Sequence, residues 1–104
     1  MEDLTVKQII KKFFNVDLPI SGGSGNSIVN AIKIESSTED EGVQLEYQVL
    51  DYIHQLGNKS WRVIKQELLR EGNKAYDKLT VEVKDDLQNY HNYYFDITDF
   101  HMIE

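Results

Sequence analysis

Val6, Ile9, Ile10, Phe13 and Phe14 recur at three- and four-residue spacing, with Lys7, Lys11 and Lys12 between them. That is the pattern of an amphipathic helix over residues 4–14. Asp3 or Thr5 can cap its start, and Asn15, with Pro19 shortly after, ends it. A second apolar stripe runs through Leu45, Val49, Tyr52, Ile53 and Leu56. Thr38 and Glu41 before it have the spacing of a capping box, and Glu39-Asp40-Glu41 suits the positive end of a helix dipole. Gly57 offers a left-handed stop. Val43, Leu45, Tyr47 and Val49 also alternate as a strand would, but the signals at both ends decide for a helix.

Residues 28–35 read as a strand, and three longer runs, 61–70, 75–84 and 89–98, read as three more. Gly72-Asn73 is a two-residue hairpin signal, which pairs residues whose numbers sum to 145. Glu71 then faces Lys74, Glu67 faces Lys78, Leu68 faces Asp77, and Ile64 faces Val81. Matching the apolar faces across the next connection, 85–88, sets Val81 opposite Tyr93, Leu79 opposite Phe95 and Lys78 opposite Asp96. The two registers together give a Glu67–Lys78–Asp96 ladder, each opposite-charge pair contributing about 0.2–1 kcal/mol. The expected fold is α+β: helix-strand-helix followed by a three-stranded antiparallel meander, one sheet with two helices, as a single domain over 1–104. The first strand is expected at an edge of that sheet, where the intervening helix allows a right-handed parallel crossover.

Side chains alternate across a strand. In the last run His91, Tyr93, Phe95 and Ile97 make an apolar face, while Tyr90, Asn92, Tyr94, Asp96 and Thr98 make the other. Across the meander this second face is expected to collect Trp61, Val63, Leu69, Tyr76, Tyr90 and Tyr94 around the charge ladder. Aromatics with polar tips concentrate where a surface meets a partner. Trp61, Tyr76, Lys78, Tyr90, Tyr94 and Asp96 are therefore the candidate binding residues. Two arrangements compete: one helix over each face of the sheet, or one face left open.

Composition narrows the function. With 40% hydrophobic and 28% charged residues, the chain falls among globular domains. It has no cysteine, which excludes disulfides, thiolate metal sites and a cysteine nucleophile. A net charge of −7 disfavours nonspecific nucleic-acid binding and would draw a basic protein partner. The acidic start lacks the pattern of a signal peptide, and no apolar run reaches the length of a membrane span. A cytoplasmic protein without membrane contact is the expectation.

Catalytic signals are weak. Half of the six glycines lie in residues 19–27, but no Lys-Ser or Lys-Thr follows them and the next run reads as a strand. A connecting loop is expected there, whose amides could still hold an anion. His54, His91 and His101 share no metal-ligand spacing, and no serine sits in a nucleophile elbow. Neither a metal nor another cofactor is expected. Asp77 falls on the apolar side of its strand. Buried unpaired carboxylates are rare, so a wet strand end is its expected place. The reading that follows is a small acidic noncatalytic interaction domain (inhibitor, immunity-type or regulatory protein) binding through the aromatic sheet face. One alternative is a small enzyme or ligand-binding domain, with His91 or Asp77 lining a pocket beside Ser24. Another is a homodimer-forming structural protein.

Overall fold

The computed structural model describes residues 4–84 and 89–101. It is α+β, with two helices on a single five-stranded mixed sheet. Helix α1 (Val6–Phe14) starts at Thr5, whose Oγ1 accepts the Gln8 N–H at 3.2 Å while Gln8 Oε1 accepts the Thr5 N–H at 2.8 Å. The complete capping box is therefore here. At Thr38, before α2 (Glu39–Leu56), only the hydroxyl's half is made, accepting the Glu41 N–H at 3.4 Å. Asn15 ends α1 in the left-handed region, and its N–H donates to the Lys11 carbonyl at 3.0 Å. After α2 the left-handed residue is Asn58 (φ 53), not Gly57 (φ −91). Asn visits that region with little penalty, so it can replace glycine in the role.

The sheet order is β1-β2-β5-β4-β3. Strands β1 (Ile20–Gly22) and β2 (Ile32–Ile34) are antiparallel neighbours. Residues 19–27 are thus not all loop, and the strand expected over 28–35 is confined to 32–34. The chain doubles back between them because Gly22 and Gly25 hold φ of 90 and 84. A Cβ on Gly22 would also lie 2.3 Å from the Ala31 carbonyl oxygen. Nor is β2 at an edge. It lies between β1 and β5 (Tyr90–Asp96), parallel to β5, with Ile32 opposite Phe95. Strands β3 (Trp61–Glu71) and β4 (Lys74–Val83) continue antiparallel from β5, which leaves β3 at the edge. Strand β3 therefore runs parallel to β2, and the connection through α2 must pass over β5 and β4.

Both helices lie on the same face. One core cluster joins Val6 and Ile10 of α1, and Leu45, Val49 and Leu50 of α2, to Ile32, Ile34, Leu79, Val81 and Phe95 of the sheet. The rings of Phe14 and Tyr52, 4.8 Å apart, link the helices. Among the described residues no helix covers the opposite face, so of the two arrangements it is the one with an open face that forms.

Two registers differ from expectation. From Lys65–Thr80 to Glu71–Lys74 the sum is 145, but a β-bulge between Val63 and Lys65 sets Val63 opposite Val81 and Trp61 opposite Val83. The extra residue turns Trp61 and Val63 onto the helix-covered face. Between β4 and β5, Leu79 meets Tyr93, Lys78 meets Tyr94 and Tyr76 meets Asp96, two residues from the expected pairing. A two-residue slip keeps every side chain on its face, so alternation alone cannot detect it. The charge ladder is correspondingly cut short: Lys78 faces Tyr94, not Asp96.

Gly42, in the first turns of α2, packs beneath Phe100, and a Cβ there would lie 2.4 Å from the ring. Replacing glycine by alanine inside a helix usually gains up to about 1 kcal/mol. Here Gly42→Ala is expected to cost about 1–3 kcal/mol through overpacking. A thermal melt checks this; an unchanged or raised midpoint would mean that Phe100 is not held against α2.

Candidate functional site

The face that no helix covers is built by alternate residues of β3, β4 and β5. Glu67, Lys78 and Tyr94 form one row across it, and Leu69, Tyr76 and Asp96 form the next. Lys78 Nζ lies 3.8 Å from Glu67 Oε1 and 5.7 Å from the centre of the Tyr94 ring, so the lysine bridges a carboxylate and an aromatic face. Thr80 Oγ1 donates to Asn92 Oδ1 at 2.8 Å, and Arg62 Nε donates to Glu82 Oε1 at 2.7 Å. Tyr90, opposite Glu82, is 58% exposed. Tyr94 is half-buried, and its backbone N–H donates to the Gly25 carbonyl at 2.8 Å. The glycine loop is thereby tied to the edge of this surface.

Of the six expected binding residues, Tyr90, Tyr94, Lys78 and Asp96 share this open surface. Asp96 is partly committed: its Oδ1 accepts the Thr98 hydroxyl at 2.7 Å and the Thr98 N–H at 3.0 Å. Tyr76 is on the same face but buried, a structural residue. Trp61 is not part of the surface. The bulge sends it to the other side, where its ring stacks on His54 at 5.8 Å and its Nε1 donates to Asp51 at 3.5 Å. His54 is buried and 3.3 Å from the Tyr93 hydroxyl, in an aromatic cluster that closes one end of the core.

The covered face contains a feature that spacing did not reveal. Glu46 of α2 is only 1% exposed, and neither carboxyl oxygen has a hydrogen-bond partner among the described residues. Beside it lies Asp77, also buried, whose two oxygens accept from Gln66 Nε2 at 3.0 and 2.9 Å. Two carboxylates offer each other no donor; a proton on one supplies it. Burial first, and Asp77 second, push the Glu46 carboxyl up to about 10, so Glu46 is neutral at ordinary pH. The wet strand end expected for Asp77 is therefore corrected: α2, crossing above β4, roofs it. Glu46 was missed because it falls one residue after Leu45, beside the apolar stripe and not in it.

Two hollows lie away from Ser24. One trough of about 410 Å³ is lined by Ser60, Trp61, Arg62, Val83, Lys84 and Asn89, at the other end of the strands. A second, of about 290 Å³, lies between α1 and Asp17. The glycine loop uses its amides internally: Gly23 N–H donates to Ala31, Gly25 N–H to Asn30 and Asn30 N–H to Ser27 Oγ. Among the described residues no cluster of three metal-ligating side chains occurs, and no helix is long and apolar enough to cross a membrane. Several apolar residues are exposed against expectation: Phe13 and Leu56, at the ends of their helix stripes, Val29 at the loop tip, and Ile64 and Leu68 on β3. Exposure of a lone apolar residue has no sequence signature, because it depends on where the helices end up. The chain matches no family model, and comparison with curated proteins and with solved structures found no similar protein.

Proposed function

We propose that this chain is a protein-interaction module that binds its partner through the open face of the sheet, with Tyr90, Tyr94, Lys78 and Asp96 as its contact residues. The observation that carries this reading is the placement of both helices on one side, which leaves tyrosine rings and charged tips uncovered on the other. Rings of this kind supply large, stiff contact area at small entropic cost, and their hydroxyls tolerate water before binding. Charge on the surface is mixed: Lys33, Arg62, Lys65 and Lys78 stand against Glu67, Glu82 and Asp96. The acidic surplus lies instead on α2, which carries Glu39, Asp40, Glu41 and Asp51 and no lysine or arginine. A basic partner would be steered by that helix, with recognition left to the tyrosines and their polar neighbours.

Tyr94→Ala tests the reading. It is expected to change stability by about 1 kcal/mol or less, because the ring's close charged neighbour is the partly exposed Lys78. Removing a central tyrosine from an interface typically costs about 2 kcal/mol of binding or more. Wild type and Tyr94→Ala used side by side to capture partners, with melting temperature measured on both, give the readout. A specific partner lost by the variant at an unchanged melting temperature supports the site. Equal capture by both proteins overturns it.

A further inference from the structure

Strand β3 is the long edge of the sheet, eleven residues with β4 on one side and, among the described residues, no strand on the other. The turn after it has Gly72 at φ 61 in its first central position, the pattern of a two-residue hairpin closed by Glu71 and Lys74. In such a hairpin the closing pair and every second pair exchange backbone hydrogen bonds. Lys65, Glu67 and Leu69 thus bond to β4, while the N–H and C=O groups of Gln66, Leu68 and Arg70 point outward from the edge. The same stretch carries apolar side chains that α2 does not reach. Ile64 and Leu68, on either side of Gln66, are 45% and 47% exposed.

We propose that β3 pairs antiparallel with β3 of a second copy of this chain, about a two-fold axis through Gln66. Residues then meet in pairs whose numbers sum to 132. Ile64 faces Leu68 of the second copy, Lys65 faces Glu67 of the second copy, and each contact occurs twice. Charge and apolar pattern select this register. A centre at Lys65 or at Glu67 sets like charges against each other, and a centre at Leu68 leaves Ile64 opposite the turn glycine. Centres between residues would turn the apolar side chains of one copy toward the charged side chains of the other. Lysine on an edge ordinarily blocks pairing. Here each lysine gains a second glutamate beside the one it already approaches at 3.6 Å within its own chain. Two Ile64 and two Leu68 cover one another on the helix side, and the bulge at Val63–Lys65 ends the paired segment. The open faces of the two copies become one continuous surface, although the pairing does not depend on what that surface binds.

Lys65 and its opposite Glu67 form a pair without mutual backbone bonds, with Cα atoms about 4.5 Å apart, within reach of a disulfide. The chain contains no cysteine, so introduced thiols report alone. Lys65→Cys protein is mixed with Glu67→Cys protein and oxidised, beside each variant by itself. Val29→Cys, on the 93%-exposed loop tip, sets the level of random linking. Linked dimer is expected from the mixture, many-fold above either variant alone and above the Val29→Cys control. Sedimentation of the wild type is expected at twice the chain mass. Lys65→Glu and Glu67→Lys should each raise the dimer dissociation constant about tenfold or more, and the double exchange should restore it. Linking by Glu67→Cys alone, linking of the mixture only at the control level, or a monomer mass across a dilution series would overturn the proposal.

Discussion

Phe95→Ala is expected to cost about 3–5 kcal/mol of folding stability. The ring is fully buried, and Phe95 lies between Ile32 and Asp77 in the centre of the sheet. Removing it forfeits the transfer energy of a phenyl group and opens a cavity that strands fixed on both sides cannot close. Domains of this size are typically stable by only about 5–15 kcal/mol, so the variant should unfold at far lower denaturant. Urea titration followed by circular dichroism measures the shift. The comparison with Tyr94→Ala makes the result specific, because the two residues are adjacent in sequence and on opposite faces. Equal losses would mean a second packed core on the outer face, and the proposed binding surface would fall with it.

Glu46→Gln is expected to stabilise the protein at neutral pH, by an amount that grows with pH. The folded chain holds the Glu46 proton up to about 10, against 4.5 for the unpaired group. Above pH 4.5 the unfolded chain therefore releases this proton while the folded chain keeps it, and stability falls by about 1.4 kcal/mol per pH unit. Between pH 4.5 and 7 this single group removes about 3 kcal/mol, and the loss continues until the folded group itself ionises. Glutamine cannot titrate, and its amide still offers Asp77 a donor. Unfolding free energies of both proteins from pH 5 to 9 should diverge, with the variant increasingly the more stable. Parallel curves would show that Glu46 ionises freely in the folded chain.

The same group bears on what was legible beforehand. The helices could be read because three- and four-residue recurrence of Val6, Ile10, Leu45 and Val49, together with the flanking caps, is a local property. The β3–β4 hairpin near its turn was legible for a similar reason, since Gly72-Asn73 sets the pairing of its neighbours. Beyond Lys65 that reading fails at the bulge. An extra residue leaves no mark in an alternating pattern, and Trp61 accordingly changed faces. The β4–β5 register was unreadable in another way, because period-two alternation is blind to a slip of two.

The candidate surface divides along the same line. Chain alternation placed Tyr90, Tyr94, Lys78 and Asp96 together on one face, and the tertiary structure left that face uncovered by sending both helices to the other. Local pattern determined which residues form helices and strands, and which side chains share a face within one regular strand, because backbone geometry acts over a few residues. Only the tertiary structure decided that β2 joins β5, that α2 passes above β4, and that Glu46 meets Asp77 out of water. Those contacts join segments 31 or more residues apart, and they depend on how whole elements fill space around one core.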